Sequence, residues 1–105
     1  MSVRLPERVG AAKARELSFT ARRISGTDAA AMGLANRSVP AEELAASVAE
    51  LAGEIAANSP DTVSMMKRLI RDSAEMSRTD ALARERTRPY GTPSDMAERM
   101  KAGGR

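Results

Sequence analysis

The sequence predicts an all-α protein, a small subdomain of about five short helices. Three observations support this prediction. Apolar residues recur with the helical period, and no segment alternates in the way a strand does. Residues typical of helix boundaries occur at regular intervals: Ser or Thr before a helix, Pro at its first position and Gly after its end. Alanine, the strongest helix former, supplies 20 of the 44 apolar residues.

Two helices are predicted in the first third of the chain. The first covers Gly10–Thr20, which is rich in strong helix formers. The second is short and covers Asp28–Met32. Ser25 or Thr27 can cap its start, and Gly33 suits the position that follows its end.

The clearest helix is predicted over Ala41–Asn58. Glu42 and Glu43 lie in its first turn, where the helix dipole favours negative charge. Spacings of four, three and four place four apolar side chains on one face, which is the candidate core of the chain: Leu44, Val48, Leu51 and Ile55.

The rest of the chain is predicted to form three further helices. Ser59-Pro60-Asp61 is a strong boundary, with Ser59 as the N-cap and Pro60 at the first helical position. This helix is expected to reach Met76. Another begins at Thr79-Asp80, and the last begins at Pro93–Asp95 and ends by Gly103-Gly104.

The composition indicates a chain that is short of core. Leu, Ile, Val and Phe number only 16 of 105 residues, below the roughly 20% under which chains of high net charge tend toward disorder. The net charge is only +3, so full disorder is not implied. Alanine buries little area, and small domains are already marginal. We therefore expect the chain to need a partner surface, either a second copy of itself or another chain.

Several classes of protein are excluded by what the sequence lacks. With no Cys and no His, it has no disulfide, no thiolate or imidazole nucleophile and few means of binding zinc. No run of about 18 apolar residues could cross a membrane. The opening MSVRLP has no apolar stretch, so no signal peptide is expected and the predicted location is cytoplasmic.

The excess of basic residues suggests nucleic acid as a partner, but the distribution of basic and acidic residues along the chain argues against one. The isoelectric point is near 9.9, yet 17 basic residues are interleaved with 14 acidic ones. Phe19 and Tyr90 are the only aromatic residues, which leaves no platform for stacking bases. No nucleic-acid partner is predicted, and a small basic nucleic-acid binder stays open as a third hypothesis.

Three groups of side chains were weighed as sites. Four glutamates on the clearest helix could bind a metal or supply acid–base chemistry, although a solvated helix face is the favoured interpretation: Glu42, Glu43, Glu50 and Glu54. Lys67, Arg68 and Arg71 could bind phosphate, but such a group is more often a solvated face. Arg84, Arg86 and Arg88 alternate on a helix and therefore point in different directions.

No active site emerges from these residues. The sequence has no Gly-rich phosphate loop and no triad arrangement. We predict no catalytic residue, no metal ligand and no cofactor in this chain, and the residues that would contact a cofactor stay unassigned. The seven methionines are expected to fill gaps in a weak core or to meet a partner.

Short motifs occur in a specific order along nearly the whole chain. They are Arg4-Leu5-Pro6, Gly10 followed by Lys13-Ala14, Thr20-Ala21-Arg22, Ala30 through Gly33-Leu34-Ala35-Asn36, Val39-Pro40, the segment from Ile55 to Ile70, and the segment from Ser94 to Ala102. This order resembles the C-terminal helical region of the crotonase superfamily, the enoyl-CoA hydratases and isomerases. Two positions depart from it, since Ala21 and Arg99 stand where the family has Gly.

The resemblance implies separate roles for the upstream domain and the C-terminal helices of a family member. In the family, an upstream domain holds the acyl-CoA, forms the oxyanion hole and carries the catalytic carboxylates, while the C-terminal helices cover the site and pack between subunits. Residues 1–40 would then be the joint between core and cover, and residues 41–105 the helical cover and assembly segment. Many members follow the last helix with an aromatic residue and a Lys-Arg pair, which in some of them contact coenzyme A, whereas here residues 102–105 read AGGR.

The functional expectation follows from this resemblance. The chain would be a truncated or split-gene part of an enoyl-CoA hydratase/isomerase-like protein. It would serve packing and oligomerisation around an acyl-CoA site and lack the catalytic core, so the isolated chain is expected to be inactive although it resembles an enzyme family. Its partner would be a second copy or a separate crotonase core chain, and it would meet acyl-CoA only through that core. The alternative is a stand-alone helical interaction module with no acyl-CoA role.

Overall fold

The computed structural model describes residues 3–103, and this part of the chain is helical without any strand. One 3₁₀ turn, Ala41–Glu43, accompanies the α-helices. The all-α prediction is confirmed, with more helices than the five or so expected. They are α1 (Arg4–Val9), α2 (Ala11–Thr20), α3 (Gly26–Ala31), α4 (Leu44–Ala56), α5 (Pro60–Ser73), α6 (Arg78–Arg86) and α7 (Met96–Lys101).

The chain divides into two compact units, Met1–Ser47 and Val48–Arg105. The division predicted after residue 40 concerned the roles of the two parts rather than their compactness, and it stays a prediction. Within residues 3–103, no helix combines the length and the apolar character that crossing a bilayer requires.

In the first unit, α1 packs against α2. Helix α1 was not among those predicted from the sequence. Its Pro6 is the third residue of the helix, and Pro is tolerated in a first turn whose N–H groups have no helical partner. Ala14 of α2 is 3% exposed and is the only apolar residue buried among those described. The packing of this unit is therefore centred on one small side chain.

The caps of the first unit follow the predictions closely. The Ser25 hydroxyl accepts a hydrogen bond of 3.0 Å from the N–H of Asp28 at the start of α3. This helix begins at Gly26, two residues before the predicted start, because the cap fixes where it begins. Gly33 adopts a φ of +81° just after the helix, as its position predicted.

From residue 41 onward the helix boundaries differ from the predicted ones by a few residues. The predicted Ala41–Asn58 helix is split into the 3₁₀ turn and α4. Ser59 caps α5 as predicted, but α5 ends at Ser73 rather than Met76. Ser77, not Thr79, precedes α6, because its hydroxyl accepts the N–H of Asp80 at 3.1 Å. The predicted end at Gly103-Gly104 lies partly outside the described residues.

The candidate core on α4 is wrong as a core of this chain. Leu44 and Val48 are each 58% exposed and Ile55 is 50% exposed, while Leu51 is only half-buried. The physical reason is that extensive helix packing in the described residues is confined to α1 on α2 and α5 on α6. The periodic stripe exists, but among residues 3–103 no helix packs extensively against it.

Candidate functional site

An open apolar groove of about 850 Å³ lies in the second unit. Residues of α5 and α7 line it, together with Glu54 near the end of α4 and with Ala57 and Asn58 just after that helix. Its apolar lining side chains are between 37% and 66% exposed, and they are Val63, Met66, Ile70, Met96 and Met100. A groove with this lining suits an apolar partner better than a small polar substrate.

A polar clamp, formed by Ser59, Asp95 and Arg99, joins α7 to the start of α5. Ser59 is 6% exposed, and its hydroxyl donates to the Asp95 carboxylate at 2.5 Å while accepting the N–H of Thr62 at 3.3 Å. Arg99 Nε donates to the same carboxylate at 2.6 Å, and its Nη1 donates to the carbonyl of Ala57 at 3.1 Å. These bonds fix the spacing of the groove walls.

The charge state of the clamp is set by the same contacts. The hydrogen bond from Ser59, followed by that from Arg99, lowers the pKa of Asp95 below its usual value. Asp61, in the first turn of α5, accepts the backbone N–H of Ser94 at 2.8 Å and also its hydroxyl. These two bonds lower the pKa of Asp61. Both carboxylates are therefore held ionised as structural acceptors.

A second polar cluster centres on Tyr90. The Tyr90 hydroxyl donates to the Asp72 carboxylate, and Arg84 Nη2 donates to Asp72 at 3.1 Å and to the Tyr90 oxygen at 3.2 Å. The Arg68 guanidinium lies 5.6 Å from the centre of the Tyr90 ring. The hydrogen bond from Tyr90 is the main cause of a lowered pKa at Asp72. The cluster ties the segment before α7 to α5 and α6.

The first unit carries a basic pocket of about 620 Å³ lined by Lys13, Arg22, Arg23 and Asp28 among others. Glu16 pairs with Lys13 at 2.8 Å and with Arg22 at 2.7 Å. The hydrogen bond from Lys13, followed by the charge of Arg22, lowers the pKa of Glu16. Because Glu16 and Asp28 offset most of the positive charge, the pocket is a weak site for an anion.

The glutamates weighed as a metal or acid–base site do not form one in the described residues. Among residues 3–103, no group of three or more acidic side chains is close enough to hold a metal ion together. Glu54 lines the apolar groove, whereas Glu42 and Glu43 lie on the exposed 3₁₀ turn. The cluster is spread along one helix and its preceding turn.

The three basic residues considered as a phosphate site lie in three different places. Lys67 lines the groove, Arg68 lies over the Tyr90 ring, and Arg71 pairs with Asp72 at 3.4 Å. The second basic group separates as predicted, since Arg84 joins the Tyr90 cluster while Arg86 and Arg88 are exposed. Neither group forms a single patch.

The methionines lie mainly at accessible apolar surface rather than in a core. Met66, Met96 and Met100 line the groove, and Met32 lines the pocket of the first unit. Met1 lies outside the described residues. A flexible thioether side chain adapts to irregular partner surfaces, so this placement favours docking over internal gap filling.

Two features of the second unit had no counterpart in the sequence analysis. Ser59 was identified as a cap but not as a partner of Asp95, which lies 36 residues away. Tyr90 was noted only as an isolated aromatic residue, although it bonds to Asp72 at a separation of 18 residues. The one available signal was that a lone Tyr in an aromatic-poor chain needs a partner for its hydroxyl.

The chemistry available at these sites is structural. A general acid that works near neutral pH needs a carboxyl pKa raised by burial or by like charge. The four carboxyls with displaced pKa values are all displaced downward: Glu16, Asp61, Asp72 and Asp95. Each is ion-paired or hydrogen-bonded, so they orient helices and are poorly suited to proton transfer.

The comparisons with known proteins all point to one family. Residues 1–103 match the family described as Enoyl-CoA hydratase/isomerase. The chain is 40% identical over 75 residues to a carnitinyl-CoA dehydratase of Proteus mirabilis, a match covering 71% of this chain and 29% of that protein. It is 33% identical over 101 residues to a probable mitochondrial enoyl-CoA hydratase of Dictyostelium discoideum, covering 94% of this chain and 36% of that protein.

A third relative matches this chain over a similar share of both sequences. A short-chain-enoyl-CoA hydratase of Clostridium acetobutylicum is 35% identical over 82 residues, which is 78% of this chain and 31% of that protein. The chain thus spans about a third of the length of the curated relatives it matches.

Proposed function

The chain belongs to the enoyl-CoA hydratase/isomerase family, and from this premise we propose that it supplies packing and oligomerisation around an acyl-CoA site rather than the chemistry itself. The reaction of the assembled protein would be the addition of water across an acyl-CoA double bond or a shift of that bond. Its enolate would be held by an oxyanion hole contributed by a catalytic core outside this chain.

The observation that carries this proposal is the placement of apolar side chains. In the described residues Ala14 is the only buried apolar residue, while the exposed large apolar side chains on α4, α5 and α7 are between 37% and 66% exposed. Monomeric soluble proteins rarely expose contiguous apolar faces of this kind, which mark interaction surfaces when they occur. The helices are ordered by polar clamps and leave their apolar faces available for a partner.

The hydrogen bonds of the carboxylates support the proposal that this chain supplies no acid–base catalysis. Enoyl-CoA hydration needs hydrogen-bond donors to the oxyanion, and loss of one such donor typically lowers the rate about 10²–10³-fold. It also needs positioned acid–base groups, which typically raise the rate about 10²–10⁴-fold. The carboxylates of the clamp and of the Tyr90 cluster are engaged with Ser, Tyr and Arg side chains. The sequence offers no His or Cys to replace them.

The test is an enoyl-CoA hydration assay that follows loss of absorbance at the conjugated thioester band of crotonyl-CoA. The 105-residue chain alone should show no turnover. Added to the N-terminal core segment of a hydratase of this family, it should raise that segment's activity. A chain in which Ser59→Ala loosens the clamp serves as the matched control and should raise it less.

Turnover by the chain alone that survives repurification would overturn the proposal. Failure of the chain to bind or activate any core segment would favour the stand-alone interaction module instead.

A further inference from the structure

The exposed methionines of the described chain meet in one place. Met66, Met96 and Met100 are 48%, 42% and 66% exposed, and all three line the apolar groove of the second unit. Among residues 3–103, the other three methionines are half-buried and lie outside this groove: Met32, Met65 and Met76. The groove therefore gathers the thioether sulfurs that a reagent in solution reaches most easily.

These thioethers are the groups of the chain most open to oxidation by a peroxide. Thiolates would react first, but the sequence has no Cys. A sulfur lone pair attacks one oxygen of hydrogen peroxide, the O–O bond breaks, and the departing hydroxide takes the remaining proton to form water. Sulfur loses two electrons and peroxide gains them. The product, methionine sulfoxide, is a polar side chain in place of an apolar one.

The frame of the groove contains no group that peroxide attacks in this way. The polar clamp of Ser59, Asp95 and Arg99 joins α7 to the start of α5 through hydroxyl, carboxylate and guanidinium groups. Met96 and Met100 each follow a clamp residue directly in the chain and lie four residues apart, on one face of α7. Oxidation can therefore change the polarity of the lining while the clamp keeps the spacing of the walls.

We propose that the groove is a methionine oxidation site, at which conversion of Met66, Met96 and Met100 to sulfoxides switches its lining from apolar to polar. An apolar occupant must then strip water from the sulfoxide oxygens, which weakens its binding about tenfold. Methionine sulfoxide reductases restore the thioethers, so the switch is reversible. The oxidation site is independent of the function proposed above, and only its consequence for core-segment activity rests on that function.

The experiment treats the whole chain with hydrogen peroxide and follows each methionine by mass-spectrometric peptide mapping. An apolar fluorescent probe, 8-anilinonaphthalene-1-sulfonate, is titrated before treatment, after it, and after repair by both classes of methionine sulfoxide reductase. A triple variant, Met66→Leu with Met96→Leu and Met100→Leu, keeps the volume and apolar character of the lining and cannot form sulfoxides there. Met65→Leu, on the same helix as Met66 but outside the groove, is the matched control.

We expect the three groove methionines to be oxidised before Met65. The wild-type chain and the Met65→Leu control should then bind the probe about tenfold more weakly, and the reductases should restore binding. The triple variant should keep its probe affinity throughout, which assigns the change to the groove because it differs from the wild type only there. Circular dichroism checks helix content, and the pair Met96→Leu and Met100→Leu replaces the triple variant if that variant loses helix.

Four results would overturn the inference. Oxidation of Met65 as fast as the groove methionines would remove the selectivity of the site, and unchanged probe affinity with all three sulfoxides formed would remove the switch. Loss of helix content on oxidation would assign the effect to unfolding, and loss of binding that the reductases do not repair would make it damage.

The core-segment assay separates this inference from the proposed function. The oxidised chain should raise the activity of the core segment less than the untreated chain, and an equal effect would contradict the consequence drawn for that activity. If the untreated chain has no effect on any core segment, the proposed function fails, while peptide mapping and probe titration still decide whether the groove is an oxidation site.

Discussion

The two units of the molecule are held together in different ways. The first, Met1–Ser47, relies on the packing of α1 against α2 around the buried Ala14. In the second, Val48–Arg105, Ser59 is the only buried residue among those the structure describes, and side-chain hydrogen bonds join residues 18 to 42 positions apart. Polar bonds can fix the spacing of helices without covering their apolar faces. The second unit therefore has a defined shape and an unfilled groove.

The comparison predicts that the first unit is most sensitive to a polar group at its one buried apolar position. Ala14→Asn should lower the free energy of unfolding by about 2–3 kcal/mol, because it buries an amide without a partner and lowers helix propensity. Ala12→Asn is the control on the exposed face of α2 and should cost only about 0.5 kcal/mol. Urea unfolding measures both. Equal costs would show that Ala14 is not a packing centre.

The second unit should instead be most sensitive to removal of a polar group. Ser59→Ala removes the cap of α5 and the bond to Asp95, and should cost about 1–2 kcal/mol. Ser25→Ala removes the hydroxyl that caps α3, and should cost about 1 kcal/mol or less. Thermal unfolding of both variants gives the ratio. A Ser59 variant no more costly than the Ser25 variant would contradict the clamp.

The stripe on α4 offers a third comparison, between the single and the assembled chain. Large-to-small changes of a fully buried Leu cost about 2–5 kcal/mol. Because Leu51 is half-buried and its stripe neighbours are exposed, Leu51→Ala should cost about 1 kcal/mol or less in dilute solution. The cost should rise with protein concentration as the stripe becomes covered. Unfolding curves at several concentrations test this, and a full-size cost in dilute solution would restore the stripe as an internal core.

A smaller effect of opposite sign is expected in the first unit. Ala21 ends α2 with a left-handed φ of +50°, at the position where the resemblance places Gly. Such a conformation disfavours a residue with a Cβ. Ala21→Gly should therefore stabilise the chain by about 0.5 kcal/mol, after the greater flexibility of Gly in the unfolded chain is subtracted. Differential scanning calorimetry measures the shift, and destabilisation would contradict the conformation at Ala21.

The last prediction concerns pH and the Tyr90 cluster. Asp72 has a pKa below its ordinary value of 3.8, chiefly because Tyr90 donates to it. The unfolded chain then binds more protons, so this stabilisation is complete above about pH 3.8 and is lost as the pH falls through the lowered pKa. Tyr90→Phe should raise the pKa of Asp72 and make acid unfolding less steep. Carboxyl ¹³C NMR titration reads the pKa, with Asp95 as the unchanged reference.

The sequence predicted the parts of this structure that depend on neighbours in the chain. Ser25, Gly33, Ser59 and Pro60 were placed correctly because caps and helix starts involve contacts within about four residues. The bonds of Ser59 to Asp95 and of Tyr90 to Asp72 join distant helices, and local pattern carries no information about such pairs. Arg99 likewise departs from the family's Gly and bonds to Asp95 and Ala57, which only the structure shows.

The apolar stripe was identified correctly as a stripe and wrongly as a core. Helical periodicity reports that one face is apolar, but it does not report what covers that face. The composition carried the missing information, since a chain with so few large apolar residues cannot cover every face by itself. This shortage of large apolar residues explains why Leu44, Val48 and Ile55 stay exposed in the structure.

The central claim is that α4, whose apolar stripe no described helix packs against extensively, depends on a partner for its stability more than α2, which packs against α1 around Ala14. Amide hydrogen exchange, read separately for α2 and α4 over a range of protein concentrations, tests it most directly. We predict that protection of α4 rises steeply with concentration while protection of α2 stays constant. Protection of α4 that is already full at the lowest concentration, where sedimentation shows single chains, would contradict the account.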